Sequence, residues 1–304
     1  MATILLSGGE GFLGGRLASS LVACGHDVRV GARSSGQGKI VVDLACRESL
    51  DRACDGVEIV IHLAAMNQLQ CGQDVEKALD TNTIGTYRIF SASKAAGVKQ
   101  FFYFSTAQIY GSITDRFLHE ESQTDSRNSY ALTHEMAERC IMLEPRHKRT
   151  AVTIIRLTNT FGLPEKPEVN CWMLFVNNIC REIIEKNKIS IKSSPYVRRD
   201  FIPLSDVCDA LKFLIGHPKA SDEIFNICSG NSIQLIEMAT IIQERAKLVL
   251  GVSPTIEFPQ SVVDDNEYFL RYSNQKIRSL GFNFKNDINK EIDVLLRRCS
   301  QWFM

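Results

Sequence analysis

The sequence lacks an excess of charge of either sign. Its 304 residues carry 35 lysine and arginine side chains against 35 aspartate and glutamate side chains, so the formal net charge is zero. A protein that binds mainly nucleic acid or an anionic membrane presents a broad basic surface. Neutrality therefore predicts no nucleic-acid partner and no membrane partner, although it is compatible with a local basic pocket for a small anion.

Long apolar runs and paired cysteine motifs are also missing. No stretch reaches the roughly 18 apolar residues that a membrane span requires, and Met1 leads directly into ATILLSG without a basic leader segment. The ten cysteines are scattered singly, with no C-x-x-C pair, which argues against a zinc site. We predict a soluble, cytoplasmic protein with free, mostly buried thiols and no metal.

Short apolar runs do occur, and in the first half of the chain they alternate with segments of helical period. This pattern is typical of a parallel sheet covered by helices on both faces. Strands are predicted at 3–7, 27–31, 59–63, 100–105 and 153–157, and helices at 12–24, 75–96, 130–143 and 173–186. The alternation of short apolar runs and helical segments ends after Gly162, where Pro164 and Pro167 follow. We predict a doubly wound Rossmann α/β domain over 1–162 and a smaller C-terminal α/β lobe over 163–304, with part of 200–228 packing back on the first domain.

The segment LLSGGEGFLGGRLASSL carries the clearest chemical signal. Gly8, Gly11 and Gly14 follow the first predicted strand, and Phe12 and Leu13 open the first predicted helix. Glycines in this order let the backbone turn tightly against a pyrophosphate, and the helix N-terminus then faces the phosphate charge. The spacing predicts a dinucleotide-binding turn.

The end of the second strand indicates which dinucleotide binds. About 20 residues beyond the last motif glycine, an acidic side chain would bind the free ribose 2′-hydroxyl of NAD. This chain has Arg33 and Ser34 there instead. A guanidinium and a hydroxyl suit a 2′-phosphate, which favours NADP over NAD.

Together with further segments, this turn resembles the extended short-chain dehydrogenase/reductase family, the NAD(P)-dependent epimerases, dehydratases and reductases of nucleotide-linked sugars. The likeness covers nearly the whole chain, through SGGEGFLGG, VVDL, VIHLAA, FSTAQIYG, SYALTHEMAE, IIRLTNTFG and RRDFIPLSDV. The resemblance implies a small set of further cofactor contacts, with Asp43 facing the adenine. These positions are Asp43, Leu44, Leu63, Ala64, Ala65 and Asn82, the last of which could instead serve helix packing.

The resemblance also implies the catalytic residues. Thr106 matches the family's Ser or Thr that hydrogen-bonds the reacting sugar oxygen, and Tyr130 matches the tyrosine of Y-x-x-x-K that exchanges a proton with the substrate. Family dehydratases have Asp-Glu directly after the Thr. This chain has Ala107 and the predicted substrate contact Gln108, which disfavours a dehydratase.

One position departs from the family pattern. His134 stands where the family has the lysine that holds the nicotinamide ribose and lowers the pKa of the tyrosine by its charge. An imidazole is mostly neutral at pH 7. Either the enzyme works as a reductase, in which Tyr130 gives up a proton and His134 still supports the ribose, or catalysis is weak or lost.

On the substrate side, the resemblance implies a nucleoside-diphosphate sugar. Asn159 matches the family's contact to the diphosphate or sugar, and Arg199 matches a buried arginine that grips the diphosphate. Arg271 is a further phosphate-binding candidate, although VVDDN replaces the family's lead-in before it, while Arg198 is read as a surface charge and Asp206 as the cap of its own helix.

The resemblance finally implies a homodimer through the helices at 75–96 and 130–143. We predict an NADP(H)-dependent keto-sugar reductase that serves polysaccharide or modified-sugar biosynthesis. Two alternatives stay open. One is an epimerase that keeps its NAD(P) bound, and the other is a non-catalytic cofactor-binding protein on the same fold.

Overall fold

The computed structural model of the chain describes residues 1–111, 117–143, 150–259 and 271–304. Twelve strands occur in this part of the chain. They are β1 (Thr3–Ser7), β2 (Asp27–Ala32), β3 (Lys39–Val41), β4 (Ile59–His62), β5 (Gln100–Thr106), β6 (Ala151–Leu157), β7 (Asn159–Phe161), β8 (Lys188–Ser190), β9 (Arg198–Pro203), β10 (Glu223–Ile227), β11 (Ser232–Gln234) and β12 (Thr255–Glu257).

Eleven α-helices occur in the same ranges. They are α1 (Phe12–Ala23), α2 (Arg47–Cys54), α3 (Gln68–Gln73), α4 (Val75–Ala78), α5 (Gly85–Ala95), α6 (Ser129–Met142), α7 (Phe175–Lys186), α8 (Leu204–Leu214), α9 (Leu235–Leu250), α10 (Gln275–Ser279) and α11 (Ile288–Trp302). Short 3₁₀ turns lie at Ala107–Tyr110 and Pro218–Ala220. Among the described residues, no helix is both long and apolar enough to cross a membrane.

A seven-stranded sheet in the order β10-β6-β5-β4-β1-β2-β3 forms the centre of the first compact unit. Each pairing from β3 to β6 is parallel. The strands are short and apolar because helices cover both faces; all four residues of β4 are buried. The strand order reverses direction at β1, which places the loops after β1 and β4 next to each other at the carboxyl edge.

The chain divides into two units by its internal contacts. The first unit holds Met1–Ile113, Glu120–Leu157 and Leu211–Asn226, and the second holds Thr114–His119, Thr158–Ala210 and Ile227–Met304. The second unit has its own core, built where α7, α9 and α11 pack on one another and on β9. It contains a three-stranded sheet, β11-β9-β7, and the two-stranded sheet β12-β8.

The segment 75–96, predicted as one α-helix, is helical but departs from α-helical geometry in its middle. Between α4 and α5 the backbone runs as a π-helix over Leu79–Ile84, and the Gly85 amide bonds the Asp80 carbonyl five residues back. Two bonds of side chains in or beside this segment accompany the π-helix. The Thr86 hydroxyl donates to the Asn82 carbonyl at 2.5 Å, while the Asn82 amide reaches out of the helix. π-bulges of this kind are frequent at functional sites.

The cysteines match the prediction of free thiols. None of the ten forms a disulfide, and seven are buried. Asp206 does not cap its own helix. Its carboxylate accepts the backbone amides of Lys285 and Asn286 at 2.9 and 2.8 Å, so it fastens a loop of the second unit.

Candidate functional site

The glycine turn between β1 and α1 leaves no room for side chains. Gly8 has φ +71°, and a Cβ there would lie 2.8 Å from the Ala64 nitrogen. A Cβ on Gly14 would lie 2.4 Å from the Gly8 carbonyl oxygen. The backbone of Gly8 therefore lies in close contact with two neighbours. One is Gly14 in the first turn of α1, and the other is Leu63 and Ala64 in the loop after β4. This is a cradle that only glycine permits.

The N-terminus of α1 is open to a ligand. Gly11 is the N-cap residue and supplies no side-chain cap, while its own amide bonds the Gly8 carbonyl at 3.0 Å. The amides of Phe12, Leu13 and Gly14 belong to the first turn, where no carbonyl lies one turn back to receive them. Three donors and the positive end of the helix dipole suit a pyrophosphate.

Arg33 and Ser34 follow β2 directly, and both are exposed. Arg33 has no hydrogen-bond or ion-pair partner in the described part of the chain. Asp43 is exposed as well, and its carboxylate accepts the Ala45 amide at 2.9 Å. Leu44 is half-buried beside Gly85. A free guanidinium at this position can bind an anion without first breaking an ion pair.

Thr106 and Tyr130 are brought together by β5 and α6. Thr106 ends β5 and is 5% exposed. Its hydroxyl accepts the Gln108 amide at 3.2 Å. The same hydroxyl lies close enough to Tyr130 to oppose part of the rise in the pKa of that phenol. Asn128 caps α6 by accepting the Ala131 amide, which fixes the turn of helix that carries Tyr130. β5 and α6 therefore place the predicted catalytic pair side by side.

Tyr130 remains a neutral phenol over a wide pH range. Desolvation by burial, followed by the nearby Cys71, raises the pKa of Tyr130 to about 12, and the Thr106 hydroxyl only partly opposes the rise. No cation stands at i+4 to lower it, because His134 occupies that place with its ring centroid 4.5 Å from that of Tyr130. Burial lowers the pKa of His134 to about 4.

Each nitrogen of His134 has a different environment. Nδ1 lies 2.7 Å from the Tyr103 hydroxyl. Nε2 is buried and has no hydrogen-bond partner among the described residues. A buried polar atom without a partner is uncommon in a folded protein and indicates a ligand or ordered water. Together with the glycine cradle, this orphaned nitrogen shows that the residues present fit a dinucleotide.

Asn82 is buried, and its side chain makes hydrogen bonds to other parts of the first unit. Its Oδ1 accepts the Met66 amide at 2.7 Å, and its Nδ2 donates to Thr133 Oγ1 at 3.1 Å. The side chain thus ties the loop after β4 to α6. Another histidine, His62, is buried on β4, with Ser7 and Thr86 on its two ring nitrogens. Burial lowers the pKa of His62 to about 3, so it stays neutral.

Three amide side chains meet beside Thr106. Gln108 Nε2 donates to Gln68 at 3.4 Å, and Asn128 Nδ2 donates to Gln108 at 3.3 Å. Sequence reasoning singled out Gln108 and missed Gln68 and Asn128, which have no local pattern of their own. The two positions after Thr106 are Ala107 and Gln108, so neither carries a carboxylate, and the bonds of Gln108 are to neutral amides.

The predicted substrate residues Asn159, Arg199 and Arg271 belong to the second unit. Asn159 donates to the Asp200 carbonyl at 3.0 Å. The expectation that Arg199 is buried was wrong: it is exposed on β9 and has no partner among the described residues. Arg271 is exposed, and the VVDDN segment before it lies outside the described residues. Arg198, read as a surface charge, donates to the Ser232 carbonyl at 3.1 Å.

Curated relatives of the chain catalyse several reactions. It is 25% identical over 257 residues to the dTDP-D-glucose 4,6-dehydratase of Mus musculus. The matched region covers 81% of this chain and 70% of that protein. It is 26% identical over 205 residues to the GDP-6-deoxy-D-mannose reductase of Pseudomonas aeruginosa, spanning 64% and 65% of the two chains.

Solved structures share the fold across the full length. RMD from Pseudomonas aeruginosa complexed with NADPH has a TM-score of 0.84 at 22% identity, covering 99% of this chain and 100% of that one. A UDP-glucose 4-epimerase of Thermotoga maritima with UDP-glucose has a TM-score of 0.83 at 21% identity and the same coverage. These structures confirm the predicted Rossmann fold class.

One protein family matches most of the chain, and this match establishes family membership. The NAD dependent epimerase/dehydratase family matches residues 4–228, which include the glycine turn, Thr106, Tyr130 and His134. The predicted family is thereby confirmed, and with it an enzyme that depends on a nicotinamide dinucleotide. The chain belongs to the NAD dependent epimerase/dehydratase family.

Proposed function

We propose that the protein is an NADP(H)-dependent reductase that converts a keto group of a nucleoside-diphosphate sugar to a hydroxyl. The observation that carries this proposal is the neutral His134 beside Tyr130. With the pKa of Tyr130 raised to about 12 and no cation at i+4, the tyrosine is protonated and suited to give up its proton. Reduction of a carbonyl needs such a donor, whereas oxidation of a hydroxyl needs a base.

In this proposal, different residues bind the cofactor, orient the carbonyl group and donate the proton. The amides of the first turn of α1 bind the pyrophosphate of the cofactor, and Arg33 with Ser34 binds the 2′-phosphate. When bound, the reduced nicotinamide supplies a hydride to the carbonyl carbon. Thr106 hydrogen-bonds the carbonyl oxygen and orients it, and Tyr130 transfers its phenolic proton to that oxygen as negative charge develops there. The products would be an alcohol, the oxidised cofactor and a tyrosinate that regains its proton from solvent.

Substrate binding requires a cation for the diphosphate. Arg199 presents an exposed guanidinium with no partner among the described residues, and a guanidinium binds phosphate oxygens in pairs. Asn159 and Arg271 are the further contacts proposed from the resemblance. The amides Gln68, Gln108 and Asn128 support reduction over dehydration, because water elimination needs an acid and a base where these neutral groups stand.

The function is tested by mixing the purified protein with NADPH and keto sugars linked to GDP, dTDP or UDP. A reductase consumes NADPH in proportion to the alcohol formed. An epimerase that keeps its cofactor bound would interconvert two sugars with no net loss of NADPH absorbance. A non-catalytic protein would bind NADPH and leave every sugar unchanged. Either of the last two results would overturn the proposal.

Arg33 is expected to select NADP over NAD. Replacing it by alanine removes one charge-assisted contact to the 2′-phosphate, so we expect the Kd for NADPH to rise about tenfold or more and the Kd for NADH to stay within about twofold. Calorimetric titration with both cofactors measures this. The exposed Arg47, which pairs with Asp51 on α2, provides the control Arg47→Ala. An equal change for both cofactors would contradict the NADP assignment.

We propose that the homodimer forms through the helices predicted from the sequence. Large apolar side chains are exposed on this pair, with Ile84 and Tyr87 at 46% and 39% on the first helix and Leu132 and Met136 at 44% and 38% on α6. Exposed apolar residues on two neighbouring helices indicate an interface.

A charge on this surface is expected to separate the subunits. For Leu132→Glu, light scattering should shift from twice 34.1 kDa to 34.1 kDa at micromolar concentration, because the carboxylate would be desolvated in the interface. The control Val22→Glu places the same charge on α1, where Val22 is 57% exposed. A dimer that survives Leu132→Glu, or a wild-type monomer, would place the interface elsewhere or remove it.

A further inference from the structure

An ion pair joins the glycine turn to the third strand of the first unit. Glu10 lies between the turn glycines Gly9 and Gly11, and Lys39 is the first residue of β3. The Lys39 ammonium contacts the Glu10 carboxylate, and the two side chains are 32% and 47% exposed. Neither side chain has another partner among the described residues. The pair therefore ties the start of an edge strand to the turn that suits a pyrophosphate.

The register of the sheet directs Lys39 toward this turn. Lys39 pairs with Val30 of β2 in a parallel ladder, so the two side chains project from the same face of the sheet. Val30 lies against Gly9, where a Cβ would stand 2.8 Å from Val30 Cγ1. The Gly9 amide also bonds the Gly31 carbonyl at 3.1 Å. The glycine turn consequently covers this face of β2, and Lys39 reaches the turn from the next strand.

The loop after β2 connects Lys39 to the predicted 2′-phosphate contacts. This loop begins with Arg33 and Ser34 and closes where the Lys39 amide bonds the Gly36 carbonyl at 3.1 Å. A Cβ on Gly36 would lie 3.2 Å from Lys39 Cδ and 3.6 Å from Nζ, so the lysine side chain passes over this glycine. One short loop thus joins Arg33 to the ammonium that Glu10 holds.

A lone carboxylate in the glycine turn would favour NAD over NADP. A dinucleotide on this fold runs from the glycine turn to the end of β2, with its adenine ribose between them. Glu10 and Arg33 stand at these two ends. An acidic side chain near the ribose accepts a free 2′-hydroxyl, whereas it repels a 2′-phosphate. The contact with Lys39 offsets the charge of Glu10 and places an ammonium on the same side of the ribose.

We infer that Lys39 is a second cation of the 2′-phosphate site and therefore a specificity-determining residue for NADP(H). An ammonium has three hydrogens to donate; Glu10 accepts one, and the others are available to phosphate oxygens. Glu10 holds the ammonium beside the turn, while Arg33 approaches the phosphate from the end of β2. The inference rests on the NADP(H) part of the proposed function and adds that Arg33 does not select the cofactor alone.

The inference is tested by titrating Lys39→Met with adenosine 2′,5′-bisphosphate and with 5′-AMP, which differ only in the 2′-phosphate. We expect the Kd for the bisphosphate to rise about tenfold, because one charge-assisted bond is lost and Glu10 is left unpaired, while the Kd for 5′-AMP stays within about twofold. Lys99→Met is the matched control. Lys99 forms another exposed pair, with Glu58, and these residues precede β5 and β4 at the opposite edge of the sheet.

The variant Glu10→Gln separates a direct contact from a structural role of the ion pair. It removes a negative charge near the phosphate and keeps the ammonium, so the Kd for the bisphosphate should fall or stay within about twofold. Adding Glu10→Gln to Lys39→Met should recover part of the lost affinity, because no carboxylate then repels the phosphate. A Kd that rises as much in Glu10→Gln as in Lys39→Met would overturn the inference, since the intact ion pair would then be what binding requires.

The titrations distinguish failure of the inference from failure of the proposed function. Equal changes for both nucleotides in Lys39→Met, or no change for either, would overturn the role of Lys39. If the wild type bound 5′-AMP as tightly as the bisphosphate, the NADP(H) assignment would fall together with the inference. If Arg33→Ala abolished a preference for the bisphosphate that Lys39→Met retained, only the inference would fail. No sugar is present, so a lack of reductase turnover leaves these results unchanged.

Discussion

Tyr130→Phe is expected to lower kcat for keto-sugar reduction about a thousandfold, within the range of about 10²- to 10⁴-fold that a positioned general acid contributes. The phenylalanine keeps the edge-to-face contact with His134 and loses only the hydroxyl, which lies beside Thr106. Cofactor binding should therefore persist, with the Kd for NADPH within about twofold of wild type. Steady-state kinetics and a cofactor titration on the same preparation separate the two effects.

Three further variants make this result specific. Tyr87→Phe removes a hydroxyl from a tyrosine that is 39% exposed on α5 and should leave kcat unchanged. Thr106→Ser should retain most of the activity and Thr106→Val should lose it, because the hydroxyl is what contacts Tyr130 and the carbonyl oxygen. If Tyr130→Phe kept more than about a tenth of wild-type kcat, a different proton donor would have to act.

The backbone of the first unit was largely predictable because its signals are local. β1 has the predicted bounds Thr3–Ser7, and α6 begins one residue before the predicted Tyr130. Continuous apolar runs and glycine turns depend on neighbours in sequence. The π-helix over Leu79–Ile84 was not predictable, since no pattern in its own sequence marks it and its Asn82 side chain bonds Met66 of the loop after β4.

The sequence predicted which residues lie together in the candidate site. It did not predict the hydrogen bonds that their buried side chains make. The i and i+4 spacing placed His134 beside Tyr130, and the structure has them 4.5 Å apart. The hydroxyl of Tyr103 lies inside the apolar run FFYF, and its partner His134 comes from α6, so no local pattern reveals this bond. A tyrosine in a buried strand does need a polar partner, which is a usable signal. Arg199 shows the opposite error, because resemblance does not report exposure.

His62 and His134 make the fold sensitive to acid. Burial lowers the pKa of His62 to about 3, with the nearby His134 adding to the effect, and it lowers the pKa of His134 to about 4, whereas an unfolded histidine titrates near 6.5. The unfolded state therefore binds more protons between these values. The stabilisation is fully present above about pH 6.5 and is lost as the pH falls toward the native pKa values.

Between pH 8 and pH 5, each buried histidine should lower the free energy of unfolding by about 2 kcal/mol, and the two together by about 4 kcal/mol. Most carboxylates of the unfolded chain are still ionised at pH 5, so the histidines dominate this window. Urea unfolding at both pH values, at one protein concentration, measures the change. His134→Gln should be less stable at pH 8 yet lose about half of the pH dependence, since the amide has no proton to bind, whereas replacing the exposed His119 by Gln should leave it intact. A wild-type free energy of unfolding that is equal at pH 8 and pH 5 would mean that neither imidazole is buried in its neutral form, and the neutral His134 on which the proposed reduction depends would be contradicted.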